Sequence, residues 1–484
     1  MEWFSSSDDW LSRWLFERFL AVGYLVGFLV VVNQFRPLLG ERGLLPAPRY
    51  LARVSVRRAP SLFHLRYSDR LLVVVGWTGV MVAASLVAGL PQRGPLGLSL
   101  LAWLVLWALY LSIVNVGRTF YSFGWESLLL EAGFLALFLG NDDTRPPVLV
   151  LWLLRWLLFR LEFGAGLIKL RGDRCWRDLT CLYYHHETQP MPNPASWYFH
   201  HLPKRLHRLE VLGNHFAQLV APWFLFAPEP LATAAALVIL VTQSWLVVSG
   251  NFSWLNFLTI ALAVSAIDGS VLATVLPVDA PSTVADGPLW HDALVVAATG
   301  LVLFLSYWPA RNLLSRRQLM NASFNKLHLV NTYGAFGSIT RERHEIIVEG
   351  TDDPAPTADT VWKEYEFKGK PGDVRRRPPQ VAPYHLRLDW LMWFAALSPA
   401  YAEKWFVPFV VKLLENDEAT LKLLAHNPFP DKRPTFVRAR RYRYRYTTRQ
   451  ERRESGAWWH RTLVGEFLPP VSRKATRSLS TEPE

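Results

Sequence analysis

Apolar runs long enough to cross a bilayer, about 20 residues each, fill the first 310 positions and then largely stop. The opening stretch "MEWFSSSDDWLSRWLF" (1–16) reads as an interfacial helix with tryptophan anchors. "FLAVGYLVGFLVVVNQF" predicts a first span near 19–35. Further spans fit near 71–90, 97–116, 124–140 and 147–169, and again near 212–228, 231–249, 254–276 and 290–310. Between the two groups lies an angular, polar stretch, "GDRCWRDLTCLYYHHETQPMPNP" (172–194). Beyond about 312 the period changes. In "TVWKEYEFKGKPG", Val361, Lys363, Tyr365 and Phe367 alternate with Trp362, Glu364, Glu366 and Lys368, which predicts a strand. "RARRYRYRYTT" alternates in the same way, with Tyr442, Tyr444 and Tyr446 on one face and Arg441, Arg443 and Arg445 on the other. "RLDWLMWFAAL" and "AEKWFVPFVVKLLEN" read as helices packed under the sheet or on the membrane surface.

The pattern predicts a polytopic α-helical membrane protein of about nine spans. The bundle occupies 1–311 and carries a polar Cys/His/Pro loop at 170–211. A soluble, β-containing α+β domain follows at 312–470, with a disordered tail at 471–484.

Charge adds an orientation. The chain of 484 residues carries a formal net charge of +12. Loop 36–70 holds eight arginines (Arg36, Arg42, Arg49, Arg53, Arg57, Arg58, Arg66, Arg70) against Glu41 and Asp69. Such loops set orientation and touch anionic headgroups, and no nucleic-acid motif is visible. Placing loop 36–70 in the cytoplasm puts 170–211 and the tail after 311 on that side. "NDDTRP" (141–146) and the 277–289 connection then fall opposite. No cofactor motif appears: there is no phosphate-binding glycine loop, no G-x-S-x-G and no H-E-x-x-H.

Several charged residues interrupt the apolar runs. Carboxylates in lipid are expensive and face a partner or a watery cavity. Glu126 and Glu131 therefore either brace the bundle as buried ion pairs, with Arg118 and Arg160 as candidate partners, or line a substrate or proton pathway. In "RWLLFRLEFGAGLIKL" (155–170), Glu162 and Lys169 are two helical turns apart and share a face, while Gly164 and Gly166 permit close packing. Lys169 either snorkels to the interface or, desolvated, serves as a base. Arg118, Glu126, Glu131, Arg160, Glu162, Lys169, Asp173, Trp176, Tyr184, His185 and Glu187 together outline a candidate polar mouth.

Cys175 and Cys181 are spaced too widely for a zinc knuckle, and His185, His186, His200, His201, His207 and His215 match no zinc spacing, so no metal is expected. A disulfide between the cysteines is sterically feasible but requires an oxidising compartment. That conflicts with the cytoplasmic placement, and the reduced state stays open. The flanking "ETQPMPNPASWYFHHLP" reads as a proline-fixed strip on the membrane, anchored by Trp197, Tyr198 and Phe199. Asn251 and Asn321 begin N-x-S triplets.

Longer blocks carry a resemblance. "GRTFYSFGWESLLLEAGFLALFLG", "FGAGLIKLRGDRCWRDLTCLYYHHETQPMPNPASWYFHHLP", "LEVLGNHFAQLVAPW", "NTYGAFGSITRERHEIIVEGT", "EYEFKGKPGDVRRRPPQVAPYHLRLDW" and "NPFPDKRPTFVRARRYRYRYT" resemble the lipase maturation factor family. The resemblance implies a multi-pass membrane protein that helps lipases fold and assemble without being a lipase. It also implies a C-terminal client-binding part, here roughly 325–470. In the animal proteins that part faces the lumen of the endoplasmic reticulum. In a bacterium, which the arginine-rich composition suggests, the compartment would be the plasma membrane. A shorter stretch, "FGAGLIKLRGDRCW", is similar to the membrane domain of vitamin K-dependent carboxylase, where a lysine aligned with Lys169 acts as catalytic base.

Two readings follow. The first is a membrane-bound maturation factor whose partners are the bilayer and a lipase-like client. The client would be met by Tyr442, Tyr444, Tyr446, Arg441, Arg443 and Arg445 or by an edge strand. The alternative is a membrane enzyme for a lipid-soluble substrate, with Lys169 as base, Glu162 or Glu126 tuning it, and His185 or His186 at the mouth.

Overall fold

The computed structural model describes residues 9–281 and 283–475. Among the described residues, five helices are long and apolar enough to span a membrane: Trp10–Leu39, Asp69–Val87, Leu96–Val116, Leu231–Ser249 and Leu289–Leu314. Local chemistry sets their ends. The Ser68 hydroxyl caps Asp69–Val87 by accepting from Leu71 N–H, while Leu96–Val116 starts directly after Pro95. The first helix runs on through a π-turn at Val31–Phe35 and a last turn at Arg36–Leu39. It packs against Asp69–Val87, Gly124–Ala136 and Leu255–Val264.

The other four expected spans are helical but do not meet the same measure. Gly124–Ala136 has 13 residues. The 254–276 run is divided into Leu255–Val264 and Gly269–Ala273. The 212–228 run is interrupted by a π-turn at Phe216–Val220. Val148–Arg171 is 24 residues long but carries Arg155, Arg160, Glu162, Lys169 and Arg171. The interfacial helix expected at 1–16 falls partly outside the described residues; from Trp10 onward it is continuous with the first long helix.

The outward faces of the long helices are apolar. Val73, Val74, Trp77 and Met81, then Leu237, Val241, Trp245 and Val248, then Val296, Leu303 and Phe304 are all exposed. Faces of this extent are costly in water and suit lipid. The protein is an integral membrane protein.

The C-terminal region contains eight described strands: β1 (Ala322–Ser323), β2 (Asn331–Thr332), β3 (Arg343–Thr351), β4 (Lys363–Glu364), β5 (Glu366–Phe367), β6 (Leu424–His426), β7 (Phe436–Tyr446) and β8 (Trp459–Ser472). The principal sheet has order β4-β3-β7-β8 and is antiparallel throughout. The single strand expected at 361–368 is instead two short ones. Tyr365 N–H still donates to Val348 O of β3 while its ring is buried against Phe429, and from Glu366 the chain pairs with β6. β8 is an edge strand with bulges against β7. It takes in Val471 and Ser472, where the sequence predicts a tail, and 476–484 lie outside the described residues.

β7 buries a different face at each end. Val437 and Ala439 pack with Ile346, Val348 and the Phe406–Leu414 helix. Tyr442, Tyr444 and Tyr446, on the opposite face, pack with Ile347, Trp458, Trp459 and Trp197 of the loop after the first helices.

The change of character near 312 is not a break in packing. One apolar core runs from Trp10 to Ala439 through both regions. Loop 36–70, the 170–211 segment and the C-terminal region gather at one end: Lys326 Nζ donates to Arg57 O, Gln34 to His385 O and Arg343 to Glu187 O. At the other end Arg145 pairs with Asp286 and Arg13 donates to Thr144 O. Loop charge predicts the same grouping.

Candidate functional site: a polar seam between bundle and sheet

The polar residues of the bundle meet partners that come from the C-terminal region. Glu126 opens the Gly124–Ala136 helix, where the unpaired N–H groups of the first turn favour a carboxylate. Its Oε1 accepts from Arg387 Nη1 at 2.8 Å and its Oε2 from Tyr110 O–H at 2.5 Å. Arg387 also donates to Phe120 O and lies over the Tyr121 ring at 3.4 Å. Burial pushes the guanidinium pKa down, but Glu126, Tyr121 and Tyr110 outweigh burial and hold it above its usual value. Beside it, burial and the Arg387 charge push His385 down to about 3, so the ring is neutral. Its Nδ1 accepts from Trp125 Nε1.

A second pair lies along the same seam. Glu131 pairs with Arg160, and Glu131 Oε2 accepts from Asn331 N–H, the Asn331 amide and Tyr333 O–H at 3.0, 2.8 and 2.7 Å. Arg160 in turn donates to Asn331 O. The strand β2 thus plugs a bundle pocket that would otherwise hold a buried ion pair alone. Gly164 makes this approach feasible: a Cβ there would sit 2.4 Å from Tyr333 O. Gly166 serves helix packing, against Leu219.

Lys169 donates to Asn214 and Gln218 at 2.8 and 2.7 Å and sits 5.0 Å over Trp176. Glu162 accepts from Gln243, which accepts from Asn256. The ammonium is held by two neutral amides inside a packed wall. His185 stacks on Phe252 and meets Phe336 edge-on, and burial pushes it down to about 3. This arrangement fixes a cation in place.

Three expectations need correction. Arg118 does not serve Glu126; it lies over Tyr50, and Arg387 takes the role. The strip after 187 is not laid on the membrane. Gln189, Met191 and Asn193 are buried, and Trp197 donates to Thr447 O beneath the sheet. Trp197 therefore anchors the sheet and Phe199 packs on the His186 ring, while Tyr198 stays exposed. Lastly, Tyr442, Tyr444 and Tyr446 cannot present themselves to a client. They are 9%, 1% and 4% exposed, and β7 is an inner strand, flanked by β3 and β8. Two arginines of the other face remain at the surface: Arg443 pairs with Glu342 and Arg445 with Glu451, and both border a shallow depression with His460, Thr462 and Val464. Arg441 is half-buried on the same face.

The remaining mouth residues hold the loop in place. Asp173 caps the turn Arg174–Arg177 and pairs with Arg341 at 2.8 Å; Arg341 lies over Tyr184. Trp176 donates to Phe336 O, and Glu187 accepts from Tyr446 N–H. Cys175 and Cys181 form a disulfide. Asn251, one of the two N-x-S asparagines, is buried and bonded to Pro192 O and Pro379 O, so no glycan fits there.

Sequence reasoning misses His385, Arg387, Asn331 and Tyr333 of the seam, together with the buried set Arg343, Glu345 and Lys370. A signal exists for one of them: Arg387 and Asp389 are charges inside the apolar run "RLDWLMWFAAL". It is the same kind of signal that singles out Glu126.

The comparisons with known proteins agree with this architecture. Residues 11–274 match the lipase maturation factor transmembrane domain and residues 329–469 the lipase maturation factor C-terminal domain. The chain is 42% identical to lipase maturation factor 1 of Homo sapiens, over 97% of this chain and 89% of that protein. It is 42% identical to the Bos taurus protein of that name, over 98% and 91%. To lipase maturation factor 2 of Homo sapiens it is 30% identical, over 96% and 83%. No solved structure matches. The chain belongs to the lipase maturation factor family.

Proposed function

We propose that the chain is a membrane-anchored maturation factor, not an enzyme, that assists the folding or assembly of lipase-type clients. It meets them on the outer face and free edge of its C-terminal sheet. The observation that carries the first statement is the family match along nearly the whole chain. Supporting the second is β8, a 14-residue edge strand whose exposed Val464 lies beside Arg443 and Arg445. Edge strands offer unpaired backbone groups to an incoming strand. The reading with Lys169 as a base is not favoured, since its ammonium is occupied by Asn214 and Gln218.

The disulfide supports placing the loop and the sheet in an oxidising compartment. That is the reticulum lumen in a eukaryotic cell or the outer face of the plasma membrane in a bacterium. This reading inverts the sign taken from the loop arginines and keeps their grouping. A sidedness reporter fused at the C terminus tests it; a cytoplasmic signal would refute it.

The functional test is co-expression with a lipase in cells lacking their own maturation factor. Wild type is expected to raise secreted lipase activity. R443E/R445E should lose most of that gain at unchanged expression and melting temperature, because the two ion pairs broken are exposed and each contributes only about 0–1 kcal/mol. Full activity of the double variant would remove this face from the proposal.

A further inference from the structure

Near the sheet, the helices Leu182–Thr188 and Lys204–His215 pack against each other and bring His186, His207 and Glu210 together. Their ligand atoms all lie within 4.8 Å of one another. His207 Nδ1 is 3.0 Å and His186 Nε2 is 4.0 Å from Glu210 Oε2. Ligand atoms around a tetrahedral zinc sit about 3.3 Å apart, since each bond is about 2.0–2.1 Å. The observed separations bracket that value.

Two further details point to a cation. His207 Nδ1 faces Glu210 Oε2 at 3.0 Å and its Nε2 faces the His200 carbonyl at 3.4 Å; both partners only accept, so the single proton of a neutral ring serves one of them and leaves a lone pair aimed at the other. A cation bound between Nδ1 and the Glu210 carboxylate lets the ring keep its proton on Nε2 for the His200 carbonyl, so that both ring nitrogens are satisfied. His186 is 3% exposed, and neither of its ring nitrogens has a hydrogen-bond partner among the described residues. A buried polar group left without a partner is costly. Trp245 Nε1 donates to the other carboxylate oxygen of Glu210 at 2.7 Å. A backbone carbonyl behind one ligand and an indole behind another are the kind of outer support that metal ligands have.

We propose that His186, His207 and Glu210 bind a divalent transition metal of the zinc class. The ion ties the loop after the first helices to the amphipathic helix that follows. Spacing along the chain conceals the site, because its two histidines lie on different helices and its third ligand is a carboxylate.

The test is elemental analysis of the full chain, purified in detergent without chelator and with a tag free of histidine. About one zinc per chain is expected, as for a site with three protein ligands. H186Q and E210Q should lose it, while H215Q, which alters a ring bonded to Trp176 O, should keep it. Should the variants fail to fold, cobalt-substituted wild type decides through X-ray absorption: two imidazoles and oxygen support the site, and any other ligand set overturns it. Wild type that stays metal-free after equilibration with micromolar zinc and desalting overturns the proposal. So does metal retained equally in H186Q and E210Q.

Discussion

Arg387 shows how much a single side chain carries here. It is fully buried and neutralises Glu126, whose other oxygen holds Tyr110. Removing one member of a buried pair typically costs about 3–5 kcal/mol, because the other charge stays behind, whereas removing both is often nearly neutral. R387M is therefore expected to lower the melting temperature in micelles markedly, and the E126Q/R387M pair to recover much of the loss. Equal destabilisation by single and double variants would count against the pairing. His385 adds a pH dependence. Its folded pKa, about 3, lies below the ordinary histidine value of 6.5. The unfolded chain then binds a proton that the folded one does not. Stability from this group is complete above about pH 6.5 and falls as pH drops toward 3, by on the order of 1–2 kcal/mol at pH 5. Melting curves at pH 7 and pH 5 should show the loss, and H385Q should flatten it.

At the scale of elements, the close approaches matter most. The Val148–Arg171 helix meets β2 and the residue after it through Gly164, where a methyl group would press on the Tyr333 carbonyl. That contact is backbone, which yields little, so G164A is expected to cost about 1–3 kcal/mol and to loosen the Glu131–Tyr333 bond. Hydrogen exchange at 331–334 would report it; unchanged protection would refute it. Elements are also the most legible level of the sequence. The apolar runs mark the helices, and the Tyr–Arg alternation of β7 marks its two faces. What alternation leaves open is which face is covered. It puts the three tyrosines on one side, but that side is closed by Trp197, which arrives from a loop far earlier in the chain. Charges in apolar runs are legible as buried, yet not as paired. Arg118 is the nearer arginine along the chain and Arg387 the nearer one in space.

At the scale of the whole molecule, bundle and sheet are one body of contacts. The core is shared, and two bundle carboxylates are answered by residues 331–333 and 387. Deleting 325–470 would therefore remove more than a client-binding surface. A chain ended after residue 380 is expected to aggregate in micelles, and its bundle to lose protection from protease around 120–135. A stable, monodisperse bundle from that fragment would show that the seam is dispensable.

The late position of Arg387 has a consequence for synthesis. The Gly124–Ala136 helix is made long before its counter-charge leaves the ribosome. Through that interval Glu126 must stay protonated, stay hydrated or be held by something else. An unfinished chain thus carries a built-in mark of incompleteness, a carboxyl group whose charge is still unanswered. Only arrival of the last quarter of the polypeptide erases that mark.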